Sequence, residues 1–279
     1  MHASDVKRLA EGLLSVALSA GRVQMAHFQR GVRVERKSDQ SPVTAADREA
    51  EELILKELAR VAPGIAVVAE EQCASGQTPA PGGSFFLVDP LDGTKGFIKG
   101  KPEFTINIGL IESRVPVFGL LYAPALADLF VTLGPFEAAN GRLPPQADVG
   151  CLADCALRPI RTRPPNPHAL RALISHSHLN RATEHVLEGL NVKERRALAS
   201  SLKFGLLARG EADLYPRIAP TSEWDTAAGH AVLAAAGGCV TTLAGEPLLY
   251  GHAERGFENS DFVAWARRPL PMRGRAMPS

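Results

Sequence analysis

Cysteine is scarce: Cys73, Cys151, Cys155 and Cys239 are the only four in 279 residues, and their spacing is irregular. That excludes a disulfide-stapled scaffold and suits a reducing compartment. Cys151-x-x-x-Cys155 has no second pair to complete a zinc site, so none is expected. Charge imbalance is lacking as well, since 31 basic and 30 acidic residues leave a formal charge of +1. Nothing in that balance captures nucleic acid or an anionic membrane, so an anionic ligand must be held by a local site. No apolar run approaches bilayer-spanning length. Asp5, Lys7, Arg8 and Glu11 interrupt the N-terminal apolar residues and rule out a signal-peptide core. The expected location is the cytoplasm, with loose association at the inner face of the cell membrane left open, and the expected state is a monomer or homodimer.

What is present is a chain that is 45% apolar, enough for one large or two ordinary domains with a sizeable core. Val6, Leu9, Leu13, Val16, Ala20 and Val23 recur at three- and four-residue intervals and predict a long helix from about Ser4 to Phe28. A second helix is expected from Ala45 to Val61, ending before Pro63-Gly64. Short apolar runs at 65–69 and 85–88 read as buried strands, and 104–110 with 115–122 as an antiparallel hairpin that 129–133 extends. The stretch 134–165 carries little periodicity, which puts a domain boundary near 157: an N-terminal domain over 1–157 and a C-terminal α/β domain over 158–279. In the second half, strands are expected at 172–175, 211–215 and 238–242, and helices at 182–189 and 202–209.

The run Phe85-Phe86-Leu87-Val88 leads directly into Asp89-Pro90-Leu91-Asp92-Gly93-Thr94-Lys95. Two carboxylates that cannot escape each other need protonation or a cation, and a hard divalent metal is the usual partner. Gly93 and Thr94 add backbone N–H groups and a hydroxyl beside it, which together suit a phosphate. The plain alternative is a turn, because Asp-Pro and Asp-Gly cap their own backbone. Glu70-Glu71 repeats the strand-then-acid layout after Ile65–Ala69. Near the other end, Glu223-Trp224-Asp225 precedes a small-residue helical segment for which Asp225 reads as the N-cap.

Taken together, Glu70-Glu71, Asp89-Pro90-Leu91-Asp92-Gly93-Thr94 and Trp224-Asp225-Thr226-Ala227-Ala228-Gly229 resemble, in order, the motifs of the lithium-sensitive, magnesium-dependent inositol monophosphatase family. Lys95-Gly96-Phe97-Ile98-Lys99 after the shared loop, with Ser200-Ser201-Leu202-Lys203-Phe204, Leu214-Tyr215-Pro216-Arg217 and Lys37–Asp47, is similar to its bacterial 3'(2'),5'-bisphosphate nucleotidase branch. The resemblance runs from about Leu9 to Val263 and is weakest over 134–160.

It implies a layered αβαβα sandwich of the inositol monophosphatase and fructose-1,6-bisphosphatase type, with the site between the two domains. It further implies two or three Mg2+ ions. Glu70, Asp89 and the Leu91 carbonyl would hold the first; Asp89, Asp92 and Asp225 would hold the second; a third would sit on Glu70. Thr94 and Asp47 would activate water, with Glu70 also catalytic. From the residues alone, Thr44-Ala45-Ala46-Asp47 reads first as a helix capping box, and both roles fit one side chain only if it divides its two oxygens. Substrate contacts are expected from Glu70, Leu91, Asp92, Gly93, Thr94 and Asp225. Ser200, Lys203 and Arg217 are candidates for the rest of a phosphorylated nucleotide, against a solvated face or ordinary ion pairs. His178 is a candidate for base or ribose, against an incidental loop histidine.

The expected reaction is removal of the 3'-phosphate of adenosine 3',5'-bisphosphate (PAP), with 3'-phosphoadenylyl sulfate as a second candidate substrate and a role in sulfur metabolism. The alternatives are an inositol-1-phosphate or fructose-1,6-bisphosphate phosphatase on the same scaffold and, from another class, a non-catalytic nucleotide sensor. The sensor reading is weakened because no acid of the set is missing.

Overall fold

A computed structural model describes residues 3–31, 34–37, 42–177 and 179–271. Helix α1 (Ala3–Arg30) buries Val6, Leu9, Leu13, Val16 and Ala20, the stripe that its three- and four-residue spacing predicts. A two-stranded ribbon, β1 (Val34–Arg36) against β2 (Pro42–Thr44), leads into α2 (Ala45–Val61). α2 lies along α1 with Ala50, Ile54 and Leu58 inward, and Val61 packs onto Gly12, where a Cβ would sit 2.7 Å from a Val61 methyl.

These helices cover one face of a seven-stranded sheet made of β3 (Ala66–Ala69), β4 (Ser84–Asp92), β5 (Thr105–Glu112), β6 (Val115–Ala123), β7 (Asp128–Gly134), β8 (Glu137–Arg142) and β9 (Arg158–Ile160), in that spatial order. Only the β3–β4 pair is parallel. Short helices α3 (Glu70–Ala74) and α4 (Thr94–Ile98) follow β3 and β4. Successive side chains of a strand point to opposite faces. Phe86, Val88, Ile108, Leu110 and Phe118 therefore meet the α1–α2 layer, while Phe85, Leu87, Ile111, Leu121 and Phe130 enter a second core. Both faces are buried, which is why these strands read in the sequence as continuous apolar runs.

The second core holds α6 (Leu202–Ala208) and α7 (Glu223–Ala235). Beyond it lies a five-stranded sheet of β10 (Leu170–Ser175), β11 (Val192–Leu198), β12 (Leu214–Arg217), β13 (Cys239–Thr242) and β14 (Phe262–Trp265), ordered β11-β10-β12-β14-β13. α5 (Arg181–Gly189) closes the far side through Val186 and Leu187. Helices, sheet, helices, sheet and helix make the five layers expected.

α7 approaches the large sheet through a glycine window. Gly109 and Gly119 face each other across β5 and β6. A Cβ on Gly119 would lie 2.0 Å from the Ala228 carbonyl oxygen, and one on Gly109 would lie 2.8 Å from the Ala228 nitrogen. Gly229, one residue on, faces the Phe204 ring in the same way, 2.6 Å from a would-be Cβ. The small residues of Thr226–Gly229 thus set how closely the helix seats.

Several expectations shift. The first sheet takes in β9 and so reaches Ile160, past the boundary drawn at 157. The strand expected at 211–215 starts at Leu214. β11 escapes sequence reading because it is a charged edge strand whose Lys193-Glu194-Arg195-Arg196 are all exposed, on both faces. β8, Glu137–Arg142, contributes only Ala138 and Ala139 to the core and is equally hidden. Asp225 is not the N-cap of α7: Ser222 is, and Asp225 sits at the third helical position, where its carboxylate accepts from the Ser222 N–H.

Candidate active site

β4 does not stop at Val88 but continues through the acids with an irregularity. Asp89 stands opposite Asn107 and Asp92 opposite Thr105, so three steps on β4 match two on β5. In a regular strand, residues three apart point to opposite faces; one extra residue restores them to the same side. Pro90, which has no N–H to lose from the ladder, occupies the bulge. Its carbonyl accepts from the Gln24 side chain of α1, and the Leu91 N–H donates to Asp89 Oδ1 at 2.9 Å. Both acids consequently line one cavity of about 700 Å³ between the two halves of the chain, a size that suits a nucleotide.

Glu70 enters from the first turn of α3. Ala69, at the N-cap, has no side chain able to cap, and Glu51 of α2 takes over: its two carboxylate oxygens accept from the Glu71 and Gln72 N–H groups at 2.8 and 2.9 Å. Asp225 comes from α7 across the glycine window. Its Oδ2 accepts from the Thr221 hydroxyl and, at 3.0 Å, the Ser222 N–H. One carboxylate oxygen each from Glu70, Asp89 and Asp225 lie within 4.8 Å of one another.

Crowding and burial push Asp89, Asp92 and Glu70 toward protonation. Loss of solvent is the largest cause at Asp89, followed by Glu70, Asp92 and Asp225, and its pKa lies well above the ordinary carboxylate range. Burial, then Asp225, pushes Asp92 up to about 7, against the opposing pull of Lys203 and the Ser201 N–H. Glu70 is raised by burial in spite of Lys37, whose ammonium lies 2.7 Å from Glu70 and 2.6 Å from Glu71. Burial opposes the charge on Lys37, but the two glutamates outweigh it and hold its pKa above normal. An oxygen-only donor set whose members repel one another fits a hard divalent cation such as Mg2+. The acids and the Leu91 carbonyl are the residues that could hold it.

Asp47 lies beside them, 2% exposed. Its Oδ2 accepts from the Thr44 N–H at 2.8 Å and the Thr44 hydroxyl at 2.6 Å. Its Oδ1 is 3.2 Å from Thr94 Oγ1, which is also 3.0 Å from the Leu91 carbonyl. Burial raises the Asp47 pKa, moderated by its bonds to Thr44. Gly93, in the left-handed region with φ 98°, turns the chain from β4 into α4 beneath the cavity; only glycine takes that conformation without strain.

The sequence candidates Ser200, Lys203 and Arg217 all line the cavity. Lys203 is nonetheless 2% exposed, donates to the Leu198 and Ser200 carbonyls, and lies 4.9 Å over the Tyr215 ring. Burial lowers its pKa to about 8. It secures the turn in which Ser200 adopts φ 54°, and that turn aims the Ser201 N–H at Asp92 Oδ2. Arg217 spends one N–H on the Pro220 carbonyl at 2.8 Å, while its buried Nε has no partner among the described residues. His178 lies outside the described residues; His176 lines the cavity and faces Glu103 at 3.6 Å. Sequence reading missed Glu51, Ser201 and His176. Ser201 stands next to the candidate Ser200 in sequence, and His176 lies two residues before the candidate His178.

A sequence profile of the inositol monophosphatase family matches residues 5–268. A 3'(2'),5'-bisphosphate nucleotidase CysQ of Salmonella typhimurium is 40% identical over 245 residues, covering 87% of this chain and 94% of that one. The CysQ nucleotidase of Buchnera aphidicola is 35% identical over 263 residues, 93% of this chain and 94% of its own. Among solved structures, CysQ of Bacteroides thetaiotaomicron superposes with TM-score 0.76 at 34% identity, covering 92% of this chain and 97% of that chain. The IMPase of Thermotoga maritima shares the fold, with TM-score 0.68 at 23% identity over 90% of this chain and 89% of its own.

Proposed function

The chain belongs to the inositol monophosphatase family, and from that premise we propose that it is a Mg2+-dependent phosphomonoesterase that removes the 3'-phosphate of PAP, giving AMP and phosphate. 3'-Phosphoadenylyl sulfate is a second substrate of the same kind. The reading rests on one observation: carboxylates from three separate segments, Glu70, Asp89 with Asp92, and Asp225, converge beside the Asp47–Thr94 pair. The identity to the named nucleotidases supports the substrate class. We place the protein in the cytoplasm, as its four free cysteines suit a reducing compartment. No helix among the described residues is long and apolar enough to cross a membrane.

Glu70, Asp89, Asp92, Asp225 and the Leu91 carbonyl would hold two or three Mg2+ ions. When bound, the metal supplies Lewis-acid stabilisation of the phosphoryl oxygens and makes water easier to deprotonate. The residues do the rest. A hydroxyl has one proton and two lone pairs, so Thr94 can donate to Asp47 Oδ1 while it accepts from an attacking water. The water's proton passes to Thr94 Oγ1 as the Thr94 proton passes to Asp47. Burial favours this transfer, because a carboxylate with a raised pKa is the stronger base. As the new P–O bond forms, the bond to the 3'-oxygen breaks, and that oxygen takes a proton from solvent. Gly93 and Thr94 amides receive the phosphate, and Ser200 and Arg217 contact the nucleotide.

Phosphate release from PAP, inositol 1-phosphate and fructose 1,6-bisphosphate, measured side by side with Mg2+ and with added Li+, tests this. PAP should be hydrolysed best and Li+ should inhibit. A clear preference for inositol 1-phosphate overturns the assignment.

A further inference from the structure

A doubly phosphorylated substrate brings a second, unreactive phosphate that the acid cluster can only repel. It needs cations that nothing else has claimed. Three cations at or beside the cavity are largely committed: Lys37 to Glu70 and Glu71, the buried Lys203 to two carbonyls, and Arg217 in part to Pro220. Lys95, Lys99 and Lys101 also line the cavity, all three exposed, and make no side-chain hydrogen bond or ion pair among the described residues.

The backbone gathers them into one patch. Lys95 and Lys99 are four residues apart along α4 and its last turn, hence neighbours on one face. The Lys101 N–H donates back to the Gly96 carbonyl at 3.0 Å, folding Lys101 over Gly96, where a Cβ would sit 3.7 Å from the Lys101 Cβ. Underneath, α4 is rooted by Phe97 in contact with Phe104 and Phe28, at ring separations of 4.8 and 5.4 Å. Like charges at this spacing repel and weaken the turn they stand on. A firmly anchored patch of three cations, unpaired among the described residues and beside Thr94, is what an incoming anion would neutralise.

We propose that Lys95, Lys99 and Lys101 form the subsite for the non-scissile phosphate of a bisphosphorylated nucleoside. This rests on the phosphomonoesterase reading above and gives that site its preference for two phosphates over one.

The test compares PAP with adenosine 3'-monophosphate on the wild type and on a Lys95→Gln/Lys99→Gln/Lys101→Gln variant over a range of KCl. The ratio of kcat/KM for PAP to kcat/KM for the monophosphate should fall about tenfold in the variant, carried by KM. The salt dependence of kcat/KM for PAP should flatten. If the wild type hydrolyses both nucleotides and the ratio is unchanged in the variant, the subsite is wrong while the phosphatase reading stands. If the wild type hydrolyses neither with Mg2+, the phosphatase reading falls and the subsite falls with it.

Discussion

Asp47 divides its carboxylate between two threonines: Oδ2 closes the cap of α2 through Thr44, and Oδ1 reaches Thr94 at 3.2 Å. The capping role legible in the sequence therefore leaves one oxygen for the site. Asp225 is built alike at the third position of α7, with Oδ2 engaged by Thr221 and Ser222. Each helix cap fixes a carboxylate in one rotamer and aims its second oxygen at the cavity.

Asp47→Asn leaves one oxygen for two jobs. The amide can satisfy the Thr44 cap or accept from Thr94, so kcat should fall roughly a hundredfold or more while stability drops by only about 1 kcal/mol. Thr94→Ser should retain most of the rate and Thr94→Ala should not. Steady-state kinetics with a parallel Mg2+ titration by calorimetry separates this from lost metal binding, which should change little.

Asp89→Asn should trade activity for stability. Removing a buried charge that Glu70, Asp92 and Asp225 repel should raise the Tm measured in EDTA. Turnover should fall by more than about a hundredfold, since even residues that merely support metal ligands cost up to that much. The Tm gain on adding Mg2+ should shrink. Wild-type activity across the Mg2+ range would sink the two-metal reading.

Metal-free protein should lose stability as pH rises from about 4 to 7. Asp92 has its folded pKa pushed from 3.8 up to about 7, and Glu51 and Glu71, raised chiefly by burial, reach about 7 from 4.5. Across that window the folded state keeps protons that the unfolded state has released, so the slope of stability with pH is negative. Mg2+ binds the ionised acids and should flatten or reverse it. Denaturant titrations at several pH values, with EDTA and with Mg2+, read both slopes.

Glu51→Ala should loosen α3. Two N–H groups lose their acceptors, which costs about 1–3 kcal/mol, and Glu70 loses its fixed starting turn. The Mg2+ concentration for half-maximal activity should rise. Glu51→Gln, which keeps one acceptor oxygen, should lie between. Equal Mg2+ dependence in all three proteins would remove Glu51 from any role in the site.

Gly119→Ala places a carbon 2.0 Å from the Ala228 carbonyl oxygen, and that oxygen is backbone and cannot swing aside. α7 must lift, at a cost of about 1–3 kcal/mol or more. Asp225 lifts with it, so Mg2+ affinity measured by calorimetry should fall alongside the Tm.

The long helices were legible because their stripes are unbroken, and the motifs gave the acids. The bulge was not legible, since nothing in Asp89-Pro90-Leu91-Asp92 states that three steps face two on the neighbouring strand. Charged β11 carried no core signal, and the burial of Lys203 was not legible because it depends on Tyr215 and the 198–200 carbonyls, which only folding brings together. Glu51 likewise serves a helix nineteen residues downstream that has no capping side chain of its own.

The glycine window has a temporal side. Asp47, Glu70, Asp89 and Asp92 leave the ribosome long before Asp225, and domains fold as units during synthesis. Until α7 arrives at Gly109 and Gly119, the early acids face one another without their last member. On the proposed metal-binding reading, the nascent chain would lack its full acid set until α7 docks, so the order of translation would delay assembly of the site.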